Sequence, residues 1–187
     1  MNREFLTVPN LLSLTRIVLL IPFAAVMYSA IPHREIWALG LLALAGLTDR
    51  YDGILARRMG AESEWGRILD PLADKIGAGV VAFVLVLQGS IPVWFLALVV
   101  ARDVLIVAGG IFVKQKTGEV LPSNTAGKWA MGVVFVTLCA SLLQAPSPFL
   151  EVGLAASVIM LGVSFMQYLR RFLDVVRSSR GVGHGAS

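Results

Sequence analysis

"LTDRYDGILARRMGAESEWGRILDPLADKIG", residues 47–77, sets four aspartates, Asp49, Asp52, Asp70 and Asp74, between two apolar runs, "IWALGLLALAG" (36–46) and "AGVVAFVLVL" (78–87). Carboxylates are costly in hydrocarbon, so an apolar chain that carries four of them together places them for function. The spacing predicts that Asp49 and Asp52 end one helix and that Asp70 and Asp74 begin the next. Residues three or four apart share a helix face, so each pair projects to one side. Two such helices packed antiparallel converge four carboxylates on one small volume.

Outward from this stretch the chain reads as membrane. Of its 187 residues 57% are hydrophobic and 15% charged, too little polar surface for a soluble domain. A membrane-crossing helix needs ~20 mostly apolar residues. Segments 8–30, 36–56, 67–88, 91–113, 127–145 and 149–172 approach that length, and turn-like "SAIPHRE", "QGSIP", "KQKTGEVLPSN" and "QAPSPF" separate them. The expected fold is an all-α integral membrane protein of six transmembrane helices. The prefix "MNREFLTVPNLLS" reads as a short interfacial amphipathic helix or as a frayed cap of the first span. One membrane catalytic domain is expected over 1–175, with a disordered, basic, Gly/Ser-rich tail over 176–187. Nothing at the N-terminus has the order of a cleaved signal peptide, because Glu4 and Arg16 interrupt it.

Basic residues choose the orientation. With six spans, Arg3, Arg57, Arg58, Arg67, Lys114, Lys116, Lys128, Arg170, Arg171, Arg177 and Arg180 share the side of the termini, and Arg34 alone lies opposite. That side is expected to be cytoplasmic, at the cell's inner membrane, and the aspartates open onto it.

Cys139 is the lone cysteine, which excludes an intrachain disulfide and a Cys-rich metal site. His33 and His184 lie in a turn and in the tail, away from the acids. Four carboxylates without Cys or His favour Mg²⁺ or Mn²⁺, with Ca²⁺ a competitor. Two such ions balance the four charges and leave room for phosphate oxygens. Gly53, Ala56 and Gly66 keep the helix faces beside the acids narrow, and Arg57 can grip a phosphate in two-pronged fashion.

The pattern Asp49-x2-Asp52-Gly53-x2-Ala56-Arg57-x8-Gly66-x3-Asp70-x3-Asp74 resembles the signature of the CDP-alcohol phosphotransferase family, with every signature position filled. The opening "VPNLLSLTRIVLLIP", which includes Pro9, Asn10 and Arg16, and "DPLADK" at 70–75 look like the family's phosphatidylglycerophosphate synthase branch. The resemblance implies a homodimeric membrane enzyme that uses a divalent metal and transfers a phosphatidyl group from CDP-diacylglycerol to an alcohol, releasing CMP. It further implies that Asp49, Asp52 and Asp70 hold metal, that Asp74 contributes to the site and acts as general base, and that Asp49, Asp52, Gly53, Ala56, Arg57 and Gly66 line the CDP-lipid pocket.

For the acceptor, sn-glycerol 3-phosphate requires cations, and "ARDVLIVAGG" supplies Arg102 while "SNTAGKWAMG" supplies Lys128. A buried helix-centre arginine should face a cavity or an internal acid. Asp103, next in sequence, projects elsewhere on an ideal helix, so a site aspartate or an acceptor phosphate is the expected partner of Arg102. Asn10 and Arg16 are further candidates. Arg102-Asp103 stands where the branch usually has Arg-Glu, and it also looks like the cardiolipin synthases of the family, whose acceptor is phosphatidylglycerol. A divalent cation transporter is the rival of another class, although it would place its acids near the midplane on interrupted helices. No feature calls for nucleic acid.

Overall fold

The computed structural model describes residues 8–59, 64–117 and 125–181, with side chains over 15–48, 75–115 and 125–176. The described residues form six helices and no strand: α1 (Val8–Met27), α2 (Arg34–Met59), α3 (Glu64–Leu87), α4 (Val93–Thr117), α5 (Thr125–Leu142) and α6 (Ser147–Gly181). Each expected span has its helix, but the boundaries differ in ways that matter. Helix α2 runs on past Arg57, and α3 starts at Glu64. The acid pairs therefore occupy helix interiors rather than helix ends, and Pro71 lies inside α3, where it has no N–H to offer the preceding turn. Val8–Ser13 belong to α1 itself, and the rest of the expected interfacial prefix, 1–7, lies outside the described residues. Helix α6 continues to Gly181, through part of the segment expected to be a disordered tail; 182–187 lie outside the described residues.

Two compact units divide the chain, one of Met1–Ile91 with Leu142–Gln144, the other of Pro92–Ser141 with Ala145–Ser187. In the first, α1 packs against both α2 and α3. Its buried stripe is Arg16, Leu20, Phe23 and Met27, the four-three-four spacing of one helix face. Val81, Ala82, Val84 and Leu85 form the matching buried stripe of α3. Gln88 Nε2 donates to the Met27 carbonyl at 2.8 Å, tying the ends of α1 and α3 together. A Schellman motif closes α3: Ser90 N–H bonds Leu85 C=O and Gly89 N–H bonds Val86 C=O, both at 2.9 Å, with Gly89 at φ +71°. Glycine is suited to that turn because it has no Cβ to clash.

In the second unit α4 and α6 run parallel. Arg102 meets Ser164, the Tyr168 hydroxyl donates to the Ile106 carbonyl at 2.8 Å, and Phe112 meets Phe172 with ring centroids 6.0 Å apart. Helix α5 returns antiparallel, pinned by a buried 3.0 Å hydrogen bond between the Thr137 and Ser157 hydroxyls. Gly153 makes the approach feasible, since a Cβ there would stand 2.9 Å from Thr137 Oγ1. Gly153→Ala is expected to cost about 1–3 kcal/mol by overpacking. The measurement is the thermal midpoint in detergent, which should fall by several degrees while Gly132→Ala, whose Cβ meets nothing within 4 Å, leaves it in place.

Beside its apolar core the chain buries hydroxyls and a guanidinium and turns many bulky apolar side chains outward. Ser157, Ser164, Thr137, Ser141 and Arg16 are buried, whereas Val104, Leu105, Phe112, Phe135, Val136, Phe149, Val152 and Ile159 face outward. Small hydroxylated residues inside and bulky apolar ones outside are the pattern of helices packed in lipid. Three described stretches are long and apolar enough to cross a membrane: Val93–Gln115, Thr125–Leu142 and Ser147–Val176. Thr15–Met27 and Lys75–Leu87 are shorter apolar helices, and the other halves of α1 and α3 lie outside the residues described in full. Helix α2 is apolar only up to Asp49, a run of roughly 20 Å at 1.5 Å per residue against a hydrocarbon core of ~30 Å.

Candidate active site

The sequence candidates fall on both units, and each set is built locally. In the first unit Asp49, Asp52, Gly53, Ala56 and Arg57 are positions of α2, and Gly66, Asp70 and Asp74 are positions of α3. The side chains of these residues and of Asn10 lie outside the described residues, so the backbone alone places them. On α3, Asp74 and Asp70 continue backward the spacing of the buried Val84 and Val81, through Gly77. Helix α1 serves as a scale. The Gln88–Met27 bond sets α3 beside it in the same direction, and α2 returns antiparallel after a short turn. At about 1.5 Å per residue, the α2 positions Asp49 and Asp52 and the α3 positions Asp70 and Asp74 lie within roughly 6 Å of one another in height along α1. Asn10 belongs to the same layer, and Arg16 lies about one turn beyond it.

Arg16 is buried, 8% exposed, on the face that α1 turns to the core of its unit. A buried cation is costly unless it is paired and hydrogen-bonded, so this position asks for compensation from within its unit. Within its own unit the acid layer offers an all-oxygen donor set of aspartates, and His33 belongs to the turn before α2, at the opposite end of that helix. Such a set fits a hard divalent cation, and four unneutralised carboxylates in one layer would repel. Far from this layer, at the start of α2, Glu35 accepts a 2.8 Å bond from Gln144 Nε2. Its own backbone hydrogen bond, followed by the neighbouring Arg34, holds its carboxyl below the usual value.

In the second unit the structure corrects the expected partner of Arg102. Its Nη1 donates to Asp103 Oδ1 at 2.7 Å, and its Nη2 donates to Ser164 Oγ at 2.6 Å. Successive helical residues point about 100° apart, but an arginine is long enough to fold back on its neighbour. Both side chains are largely buried, 11% and 16% exposed, so the pair is shielded from water. Gly127 completes the setting: a Cβ there would stand 3.1 Å from Arg102 Nη2 and 3.3 Å from Ser164 Oγ. Helices α4, α5 and α6 thus meet at one guanidinium. Lys128, next to Gly127, is exposed. Ser164 escaped the sequence reading because a serine in an apolar helix has no distinguishing pattern. Gly127 was legible only as part of a Gly-Lys pair.

A family profile described as CDP-alcohol phosphatidyltransferase matches residues 6–168. Among curated relatives, "CDP-diacylglycerol--glycerol-3-phosphate 3-phosphatidyltransferase" of Bacillus subtilis (strain 168) is 28% identical, over 91% of this chain and 97% of its own. "Cardiolipin synthase (CMP-forming)" of Homo sapiens is 34% identical, over 91% of this chain and 54% of its own. "CDP-diacylglycerol--glycerol-3-phosphate 3-phosphatidyltransferase 1, chloroplastic" of Oryza sativa subsp. japonica is 35% identical, over 73% of this chain and 39% of its own. The chain therefore spans about two-fifths of the rice relative and about half of the human one, and nearly the whole of the Bacillus one.

Proposed function

This chain belongs to the CDP-alcohol phosphatidyltransferase family, and from that premise we propose that it transfers a phosphatidyl group from CDP-diacylglycerol to sn-glycerol 3-phosphate, releasing CMP. The observation that carries the reading is the complete acid signature of α2 and α3 in a chain that aligns along almost the full length of a Bacillus relative bearing that activity in its name. In this reading all six helices cross the inner membrane of the cell, in one catalytic domain spanning 1–175. Both termini and the acid layer face the cytoplasm, and the enzyme is a homodimer.

Asp49, Asp52, Asp70 and Asp74 hold Mg²⁺ or Mn²⁺, as two ions. Divalent cations bound there supply charge neutralisation for the diphosphate. Gly53, Ala56 and Gly66 give the CDP moiety room, and Arg57 grips its diphosphate. Asp74 takes the proton from the attacking hydroxyl. A P–O bond forms between the acceptor oxygen and the lipid-side phosphorus, the P–O bond to CMP breaks, and CMP leaves with the bond's electrons. Arg102 and Lys128 receive the acceptor's phosphate, with Asn10 and Arg16 as further candidates on α1.

A second reading has a specific observation behind it. The human cardiolipin synthase aligns over 91% of the chain, and Arg102 is followed by Asp, the form noted for that branch. Its acceptor is phosphatidylglycerol. An acceptor panel decides: purified protein with CDP-diacylglycerol and Mn²⁺ is expected to release CMP on addition of glycerol 3-phosphate. CMP only with phosphatidylglycerol would replace the acceptor and keep the chemistry. Metal uptake into vesicles with no CMP from either acceptor would point to a transporter instead.

A further inference from the structure

Helix α5 begins at Thr125, and its third residue, Gly127, lies beneath the guanidinium of Arg102. Helices α4 and α6 continue beyond that level, to Thr117 and Gly181, by roughly four turns or more. The guanidinium thus sits where the three-helix packing of this unit gives way to a helix pair, above the N-terminus of α5. An arginine at such a place has many rotamers available, and three features remove that freedom. Asp103 holds Nη1, Ser164 holds Nη2, and the bare backbone of Gly127 leaves the space the fork occupies.

Charge gives the arrangement its meaning. Arg102 and Asp103 together are neutral, so the pair offers an anion little net attraction. What it offers is directed N–H groups. Of the five on a guanidinium, two are used by Asp103 and Ser164, and buried Nε has no hydrogen-bond partner among the described residues. Recognition by direction fails when the fork turns, and net charge must come from elsewhere, here the exposed Lys128 beside Gly127. Ser164 is itself fully buried, at 0% exposure, and its hydroxyl reaches the fork from α6 without adding a charge that would compete with a phosphate.

We propose that Ser164 is a positioning residue of the acceptor site: with Asp103 and Gly127 it fixes the Arg102 guanidinium in the orientation that receives the acceptor's phosphate. The inference rests on the phosphatidyltransferase reading above, and it covers a phosphate carried by either a soluble acceptor or a lipid one. The test compares Ser164→Ala and Gly127→Ala with wild type in CMP release, varying the acceptor and the CDP-linked donor separately. Each variant is expected to raise the acceptor KM about tenfold, the scale of one lost hydrogen bond to a charged group, with the loss falling on KM rather than kcat and with the donor KM unmoved. Ser164→Thr, which keeps the hydroxyl, should restore most of the affinity. An unchanged acceptor KM in both alanine variants overturns the inference, and so does an equal rise in both KM values, the mark of a merely structural role. Should Ser164→Ala fail to fold, Gly127→Ala decides alone, because its Cβ would crowd Arg102 Nη2 at 3.1 Å while leaving the Ser164 hydroxyl in the chain. A wild-type protein that releases no CMP with either acceptor overturns the functional reading and this inference with it.

Discussion

Asp74→Asn is expected to abolish CMP release while the CDP-linked lipid still binds. The amide has the size of the carboxylate and cannot accept the proton of the attacking hydroxyl. Loss of a positioned general base costs about 10²–10⁴ in rate. The opposing demand on Asp74 is physical: a carboxylate that binds a cation has a lowered proton affinity, so it serves as base only to the extent that the metal leaves it free. Turnover and equilibrium binding of a CDP-linked lipid, measured on the same variant, separate the two roles. Binding lost together with turnover would make Asp74 chiefly a metal ligand and move the proton elsewhere.

Chelation should be as severe and, unlike the substitution, reversible. Treatment with EDTA is expected to bring CMP release to background, and added Mg²⁺ or Mn²⁺ to restore it. Four carboxylate positions within roughly one helical turn in height cannot all stay ionised without counter-charge, which divalent cations would supply. Asp52→Asn or Asp70→Asn should shift the metal titration to higher concentration, an effect on affinity that extra metal partly overcomes. Full activity after exhaustive chelation would remove the metal from the proposal and leave the acids unexplained.

The two halves of the molecule were legible to different degrees. Asp49, Asp52, Asp70 and Asp74 stood out because carboxylates are rare in apolar sequence and their spacing has the helical period. The six helices followed from apolar length and from Pro- and Gly-bearing separators, and the structure has all six. Helix limits were less legible. Apolar length ends one span near 56 and starts the next near 67, yet Arg57, Arg58 and Glu64 are good helix formers and the backbone runs through them or starts with them. Pairing was the least legible. Ideal side-chain directions turn Arg102 away from Asp103 and toward a site aspartate or an acceptor phosphate, but such directions bind a short side chain far more tightly than a long one, and the pair with Asp103 forms. Ser164 became visible only when two helices, separated by 62 residues of chain at this point, were seen side by side.

The hydroxyl bridge between Thr137 and Ser157 has a bearing on chemistry it never touches. In a lipid setting a displaced hydroxyl finds no water to compensate it; the Thr137 hydroxyl keeps its 2.9 Å bond to the Val133 carbonyl of its own helix, so a drift of α5 along α6 costs the Ser157 hydroxyl its partner on α5. A slide of one residue moves a helix by about 1.5 Å, whereas a Cβ at Gly127 would already stand only 3.1 Å from the Arg102 fork. The bridge thus acts as a gauge block of the unit: two small side chains, about three turns along α5 from Gly127, contribute to the height at which the N-terminus of α5 meets the guanidinium. The fit of Gly127 beneath the Arg102 fork is thereby tied to a contact between two side chains that do not touch it.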